Sequence, residues 1–189
     1  MNLDSALRHM RDPKRRRYIW ADAICINQKD TEEKNKQVAQ MAEVYKVATQ
    51  TVIFLGEPNE ETDKIMVALC SNPSSANADL PYESLLRRPW FSRVWIYQEL
   101  VLSRDPWIQC GQHKIRWEKF YALTKQRTAT DKNDRSWDSF LHMTRGRNRW
   151  REMQTSTESP TPASRILLDT LLARRGMASS ILEICFLRT

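Results

Sequence analysis

The stretch from Tyr18 to Gly56 does most to limit the fold, because two short apolar runs flank a long amphipathic one. YIWADAICI, Tyr18 to Ile26, is nearly continuous apolar sequence, as in a strand covered on both faces of a parallel sheet, with Asp22 as its one charge. Asn27-Gln28-Lys29-Asp30 breaks that pattern, and Asp30 with Glu33 has the spacing of a capping box, so a helix is expected to start there. From Thr31 to Thr49, Val38, Met41, Ala42, Tyr45 and Ala48 recur at three and four, one face of an amphipathic helix, and Glu32 pairs with Lys36 at i,i+4. TVIFLG, Thr51 to Gly56, reads as a second buried strand ended by Gly56 and Pro58. Strand, helix and strand within about forty residues form a βαβ unit with a right-handed crossover. A parallel α/β sheet follows as the expected fold class.

Farther along, Glu61 to Cys70 predicts a short helix, and SNPSSANADLP a turn-rich loop. Pro89 suits the first turn of a helix that should run to about Ser103, before Asp105-Pro106. WIQCG predicts a strand, QHKIRW a turn and hairpin partner, and Trp117 to Gln126 a helix. From Thr128 to Arg151 the periodic signal weakens; Gln154 to Ser164 reads as a surface loop, and Arg165 to Arg175 as a last helix closed by Gly176. The expected organisation is a basic helical lead-in (1–17), an α/β core (18–126), a weakly structured region (127–164) and a terminal helix with an atypical tail (165–189).

A chain of 189 residues is long enough for one domain with a real core, and seven Trp argue against wholesale disorder. Cys25, Cys70, Cys110 and Cys185 lie far apart, with no C-x-x-C pair and no His at ligand spacing, which argues against zinc and against a disulfide scaffold. Cys25 and Cys110 sit inside apolar runs, where a thiol acts as a small hydrophobe. A reducing, cytoplasmic setting is the expectation, without a membrane span, since no window approaches the ~18 apolar residues one needs. The net charge of +7 concentrates in Arg8 to Arg17 and in RGRNRWR, Arg145 to Arg151. Neither run is a nucleic-acid module, so both read as solvated flanks, Lys14 to Arg17 guarding the strand that follows them.

The densest chemistry lies in RRPWFSRVWIYQEL, Arg87 to Leu100. On a helix, Phe91, Trp95, Glu99 and Leu102 share one stripe, which puts a carboxylate on an aromatic face. A buried carboxylate costs several kcal/mol unless it is paired or protonated. An ion pair with Arg88 or Arg93, or an N-cap bond to another segment's amides, is the plain explanation and catalysis the sharper one; Asp22 poses the same choice, and Trp95 is either core or a stacking platform.

Together, WADAICINQKDTEEKNKQVAQMAEVYKVATQTVIFLG, RPWFSRVWIYQELVLS and IQCG resemble the fungal heterokaryon incompatibility domain, the HET domain, over roughly Arg17 to Trp117. The residues that carry the likeness are Trp20, Asp22, Cys25, Ile26, Asn27, Gln28, Arg88, Pro89, Trp90, Arg93, Trp95, Gln98 and Glu99. The resemblance implies a signalling role in nonself recognition and programmed cell death, through protein partners or self-association. That family is in turn similar to the TIR domain, which implies a flavodoxin-like parallel sheet flanked by helices. Trp95 to Leu100 stands where TIR domains carry Trp-Cys-x-x-Glu-Leu, with Ile96 replacing the Cys. By that likeness Glu99 matches the glutamate of NAD-cleaving members, NAD becomes a possible substrate, and Trp95 and Asp22 become candidate binding residues in a crevice beyond the strand ends. The family pattern also begins with a strand ending Ser-Tyr-x-Trp-Gly, which has no counterpart before Tyr18, so the sheet is expected to lack its first strand and NAD cleavage is put in question. A further departure is ASSILEICFLRT, where the family continues with Asp-Pro-Arg-Asp: Ile181 to Thr189 is expected to be foreign to the domain, as after a shift of reading frame. A basic nucleic-acid binder and an inactive gene fragment are the remaining alternatives.

Overall fold

The computed structural model describes residues 3–71, 80–92, 96–127, 135–155 and 184–187. Among these, five strands form one sheet in the order β1-β5-β2-β3-β4: β1 is Tyr18–Trp20, β2 Gln50–Phe54, β3 Pro106–Cys110, β4 His113–Arg116 and β5 Ile184–Leu187. The helices are α1 (Leu3–Met10), α2 (Asp22–Cys25), α3 (Thr31–Val47), α4 (Glu60–Cys70), α5 (Glu83–Leu86), α6 (Ile96–Leu102), α7 (Trp117–Arg127) and α8 (Arg135–Thr155), with a 3-10 turn at Pro89–Ser92.

The expected α/β class holds, but the sheet is mixed. β2 and β3 pair parallel, whereas β1–β5, β5–β2 and β3–β4 are antiparallel. Since β5 opposes both of its neighbours, β1 and β2 do run in the same direction, and α3 does cross from one to the other; the two strands simply do not touch. In a flavodoxin-like order of 2-1-3-4-5 the slot between two such strands belongs to the first strand. Here β5 fills it from the other end of the chain. Ile184–Leu187, part of the tail expected to be foreign to the domain, thus sits inside the sheet, with Cys185 and Phe186 buried.

The first strand is also shorter than expected. It stops at Trp20, and Asp22 opens one helical turn by accepting the Ala23 amide on Oδ1 at 2.7 Å. A carboxylate inside an apolar run is a poor ladder residue but a good acceptor for the free amides of a helix start. The helix after it begins as expected: Asp30 caps α3 by accepting from the Glu32 and Glu33 amides. Glu33 reaches past Asp30 to the Asn27 amide, at 3.2 Å, so the capping box is stretched by one turn of loop.

Side-chain alternation along β2 divides the core. Ile53 and Leu55 join the large cluster that also holds Trp90, Phe91, Trp117, Phe120 and Phe140, while Val52 and Phe54 pack with Ala6 and Met10 of α1 and with Phe186. Phe140 of α8 is the hub of the large cluster, its ring centroid 5.3–6.2 Å from those of Phe91, Trp117, Phe120, Tyr121 and Trp137. α8 lies where the sequence signal is weak. Its buried stripe reads Phe140, Met143, Thr144 and Arg147, helical spacing with only two apolar members.

Candidate functional site

The site is built around α6. The helix expected from Pro89 to about Ser103 is divided: Pro89–Ser92 forms the 3-10 turn, α6 begins at Ile96, and Arg93 and Trp95 lie outside the described residues. Gln98 is in α6, as is Glu99 in its first turn. Glu99 is wholly buried, and neither carboxylate oxygen has a hydrogen-bond partner among the described residues. Of its two expected partners, Arg88 goes elsewhere, donating from Nη2 to Thr62 Oγ1 at 2.9 Å. The plain explanation through Arg88 therefore fails for this carboxylate.

The end of α6 is held by a buried cation. Arg147 of α8, almost wholly buried, donates through Nη1 to the carbonyls of Leu100 at 2.6 Å and Ser103 at 2.7 Å. Its other edge meets Glu118 Oε1 at 2.9 and 3.2 Å, and Arg151 reaches the same oxygen at 3.0 Å. A guanidinium against the last carbonyls of a helix satisfies groups that have no partner within the helix and complements its negative end. Burial lowers the Arg147 pKa and Glu118 opposes that shift; arginine starts high enough to stay charged. Ser103 Oγ then donates to Thr51 Oγ1 at 2.8 Å, which fastens the end of α6 to β2. Val101 packs with Trp150 and Met153 of α8. Arg147 belongs to RGRNRWR, which composition marks as a solvated flank; the signal that would find it is its place at i+3, i+4 and i+7 from Thr144, Met143 and Phe140.

The remaining motif residues fall into two groups. Arg88 and Trp90 serve the packing around α4, α5 and α7, while Pro89 between them is exposed: Trp90 is fully buried, edge-on to Phe91 at 5.0 Å and 6.2 Å from Trp117. Trp20, Asp22, Cys25, Ile26, Asn27 and Gln28 shape the β1–α3 connection. Trp20 stands edge-on to Tyr45 at 6.2 Å, Ile26 is buried, and Gln28 Nε2 donates to the Asp22 carbonyl at 3.1 Å. Cys25 is exposed rather than packed in an apolar run, since the run bends into α2 before reaching it. Cys110 is buried, and burial pushes its thiol pKa up, as it does for Cys70; neither is poised as a thiolate nucleophile.

Two clefts among the described residues lie away from Glu99, toward the starts rather than the ends of β1, β2 and β3; the larger, about 460 Å³, is bounded by Arg15, Tyr18, Gln50 and Asp105. Among the described helices none is long and apolar enough to cross a membrane.

Comparison with known proteins agrees with the motif reading. The family described as "Heterokaryon incompatibility protein (HET)" matches residues 1–99, more than half of the chain. A relative from Neurospora crassa, "Heterokaryon incompatibility protein 6, OR allele", is 28% identical over 171 residues, covering 65% of this chain and 25% of that protein. The chain thus spans about a quarter of the length of the curated relative it matches. No solved structure matches it. With the strand, cap and helix residues of the motif now placed, and with a family match that begins at residue 1 and ends at Glu99, the chain belongs to the heterokaryon incompatibility (HET) family.

Proposed function

We propose that this chain is a signalling module of fungal nonself recognition, which drives heterokaryon incompatibility and cell death by associating with protein partners or with itself in the cytoplasm. The observation that carries the reading is the family match over residues 1–99, joined to a relative that bears the incompatibility name. The TIR-like likeness is part of the proposal: β1, β2 and β3 share one direction, α3 links the first two, and the segment with Glu99 follows β2. Inducible expression of the full chain in a fungal host, scored by growth and by dye uptake, tests it. Growth arrest that Arg147→Ala relieves supports the module; unimpaired growth at a verified protein level defeats it.

A second reading is supported by one feature, the buried carboxylate of Glu99, which has no hydrogen-bond partner among the described residues. A buried carboxylate with both oxygens free costs several kcal/mol, and active sites are where such costs are kept. In NAD cleavage it would stabilise the oxocarbenium character that develops as the nicotinamide bond breaks, and would hold the ribose hydroxyls. Nicotinamide release from NAD by the purified chain, abolished in Glu99→Ala, is the expected result of this reading. A folded chain that releases none at high concentration is no NAD glycohydrolase.

A further inference from the structure

One face of the sheet carries α1 over Val52 and Phe54 and, toward the starts of β1, β2 and β3, a row of alternating cations and rings. Arg17 lies 5.2 Å from the centroid of Phe186; Lys114 Nζ lies 5.5 Å from Phe186 and 4.9 Å from Trp107; Arg116 lies 5.2 Å from Trp107. Strand register produces this row, because Gln50 opposes Phe186, Trp107 opposes Arg116, and Lys114 is two residues from Arg116 on the same face. The described acids near it are few. Asp12 takes Arg17 at 3.0 Å and Asp105 takes Arg116 at 3.4 Å, while Lys114 has an amide oxygen, Gln50 Oε1 at 2.6 Å, instead of a carboxylate. Arg15 and Arg16 project beside them, exposed, where the segment enters β1.

Arg17 and Phe186, at one end of this row, border the larger cleft, about 460 Å³, together with Arg15, Arg16 and Tyr18, the last 57% exposed. That volume falls in the range of small-ligand sites. A surplus of guanidinium donors in a fork geometry suits phosphate oxygens, and an exposed aromatic ring beside them suits a flat base. Solvated gatekeeping explains a run of Lys and Arg before a strand; it does not explain why Arg17 of that run lies over Phe186 while Arg15 and Arg16 line the same cleft.

We propose that this cleft, framed by Arg15, Arg16, Arg17 and Tyr18 at the starts of the strands, binds a nucleoside di- or triphosphate, the arginines taking the phosphates and Tyr18 the base. The site is separate from Glu99 and stands whether or not that residue cleaves NAD. Extended single-stranded nucleic acid shares the chemistry, but a cleft of about 460 Å³ has room for one small ligand rather than for successive nucleotides of a strand, which favours the small ligand.

The test is a calorimetric titration of ADP into the full chain at low salt, beside adenosine, tripolyphosphate and a ten-nucleotide oligothymidylate. Saturable one-to-one binding of ADP is expected, weakened about tenfold or more in Arg15→Ala/Arg16→Ala and about fivefold in Tyr18→Ala. Lys36→Ala, a charge removed from α3, should leave it unchanged. All these side chains are exposed, so thermal unfolding should be preserved and loss of binding cannot be ascribed to loss of fold. The proposal is overturned by absence of saturation at millimolar ADP, by equal loss in Lys36→Ala, by tripolyphosphate binding as tightly as ADP, or by an oligothymidylate that binds more tightly than either.

Discussion

Arg147 Nη1 donates to the Leu100 carbonyl at 2.6 Å, so a side chain from the longest described helix closes the helix that carries Glu99. The position of α6 is therefore set by a cation 47 residues away in sequence as much as by its own apolar contacts. Arg147→Ala should destabilise the chain by about 3–5 kcal/mol, the usual cost of breaking a buried charged network from one side. Arg147→Lys should recover only part of that, since an ammonium cannot reach two carbonyls and a carboxylate in one plane. Urea unfolding of the three proteins measures both.

Glu99 should behave in the opposite sense. Its oxygens are buried without partners among the described residues, so Glu99→Leu, similar in volume and free of the desolvation cost, is expected to raise stability by about 1–3 kcal/mol. A rise in the unfolding midpoint together with loss of cell death would identify a residue kept for activity at the expense of stability. A fall in the midpoint would show that Glu99 has a stabilising partner.

Gly111 offers a test of the β3–β4 turn. Its φ is +54°, and a Cβ there would lie 2.8 Å from both Cγ and Cδ of Pro58, ring atoms that cannot swing aside. Its amide donates to the Gly56 carbonyl at 3.1 Å, so moving it disturbs the loop after β2 as well. Gly111→Ala should cost at least about 2 kcal/mol, the left-handed backbone contributing roughly 1–2 of that, read from the shift in urea midpoint.

Lys114 predicts a pH dependence. Burial, reinforced by Arg17 and opposed by Asp105, lowers its pKa from 10.5 to about 8. Between these two values the unfolded chain binds the proton more tightly than the folded one, so the Lys114 contribution makes stability rise with pH through that window. Below about pH 8 both states carry the charge and the full destabilising contribution remains. Lys114→Met should remove it, being more stable than the parent at pH 7 and losing that advantage by pH 10. Thermal unfolding at the two pH values checks the sign.

Where local chemistry decides structure, the sequence was a good guide. Asp30 as a cap, the β2 run TVIFLG, the turn at Gly111 between WIQC and HKIR, and the helix from Trp117 all follow from period and turn residues. It misled where long-range packing decides. α8 was missed because half of its buried stripe is polar, with Thr144 back-bonded to the Phe140 carbonyl at 2.9 Å and Arg147 satisfied by distant acceptors. The strand at Tyr18 was drawn too long because an apolar run does not reveal that Asp22 turns the chain. Glu99 is legible as an anomaly, but the partner of Arg88 is not, since Arg88 can pair with Glu99 on paper and donates to Thr62 in the fold.

The pairing of Thr51 with Cys185, with β5 lying between β1 and β2, has a consequence for biosynthesis. The two strands are separated by a gap that only a segment made 134 residues after Thr51 fills. On the ribosome the facing edges of β1 and β2 stay open through most of translation, and the sheet can close only after residue 187 has left the exit tunnel. Contacts of such long sequence separation form slowly, and open strand edges attract other chains. A nascent chain of this topology thus carries open strand edges until β5 arrives, and β5 is the latch that closes them.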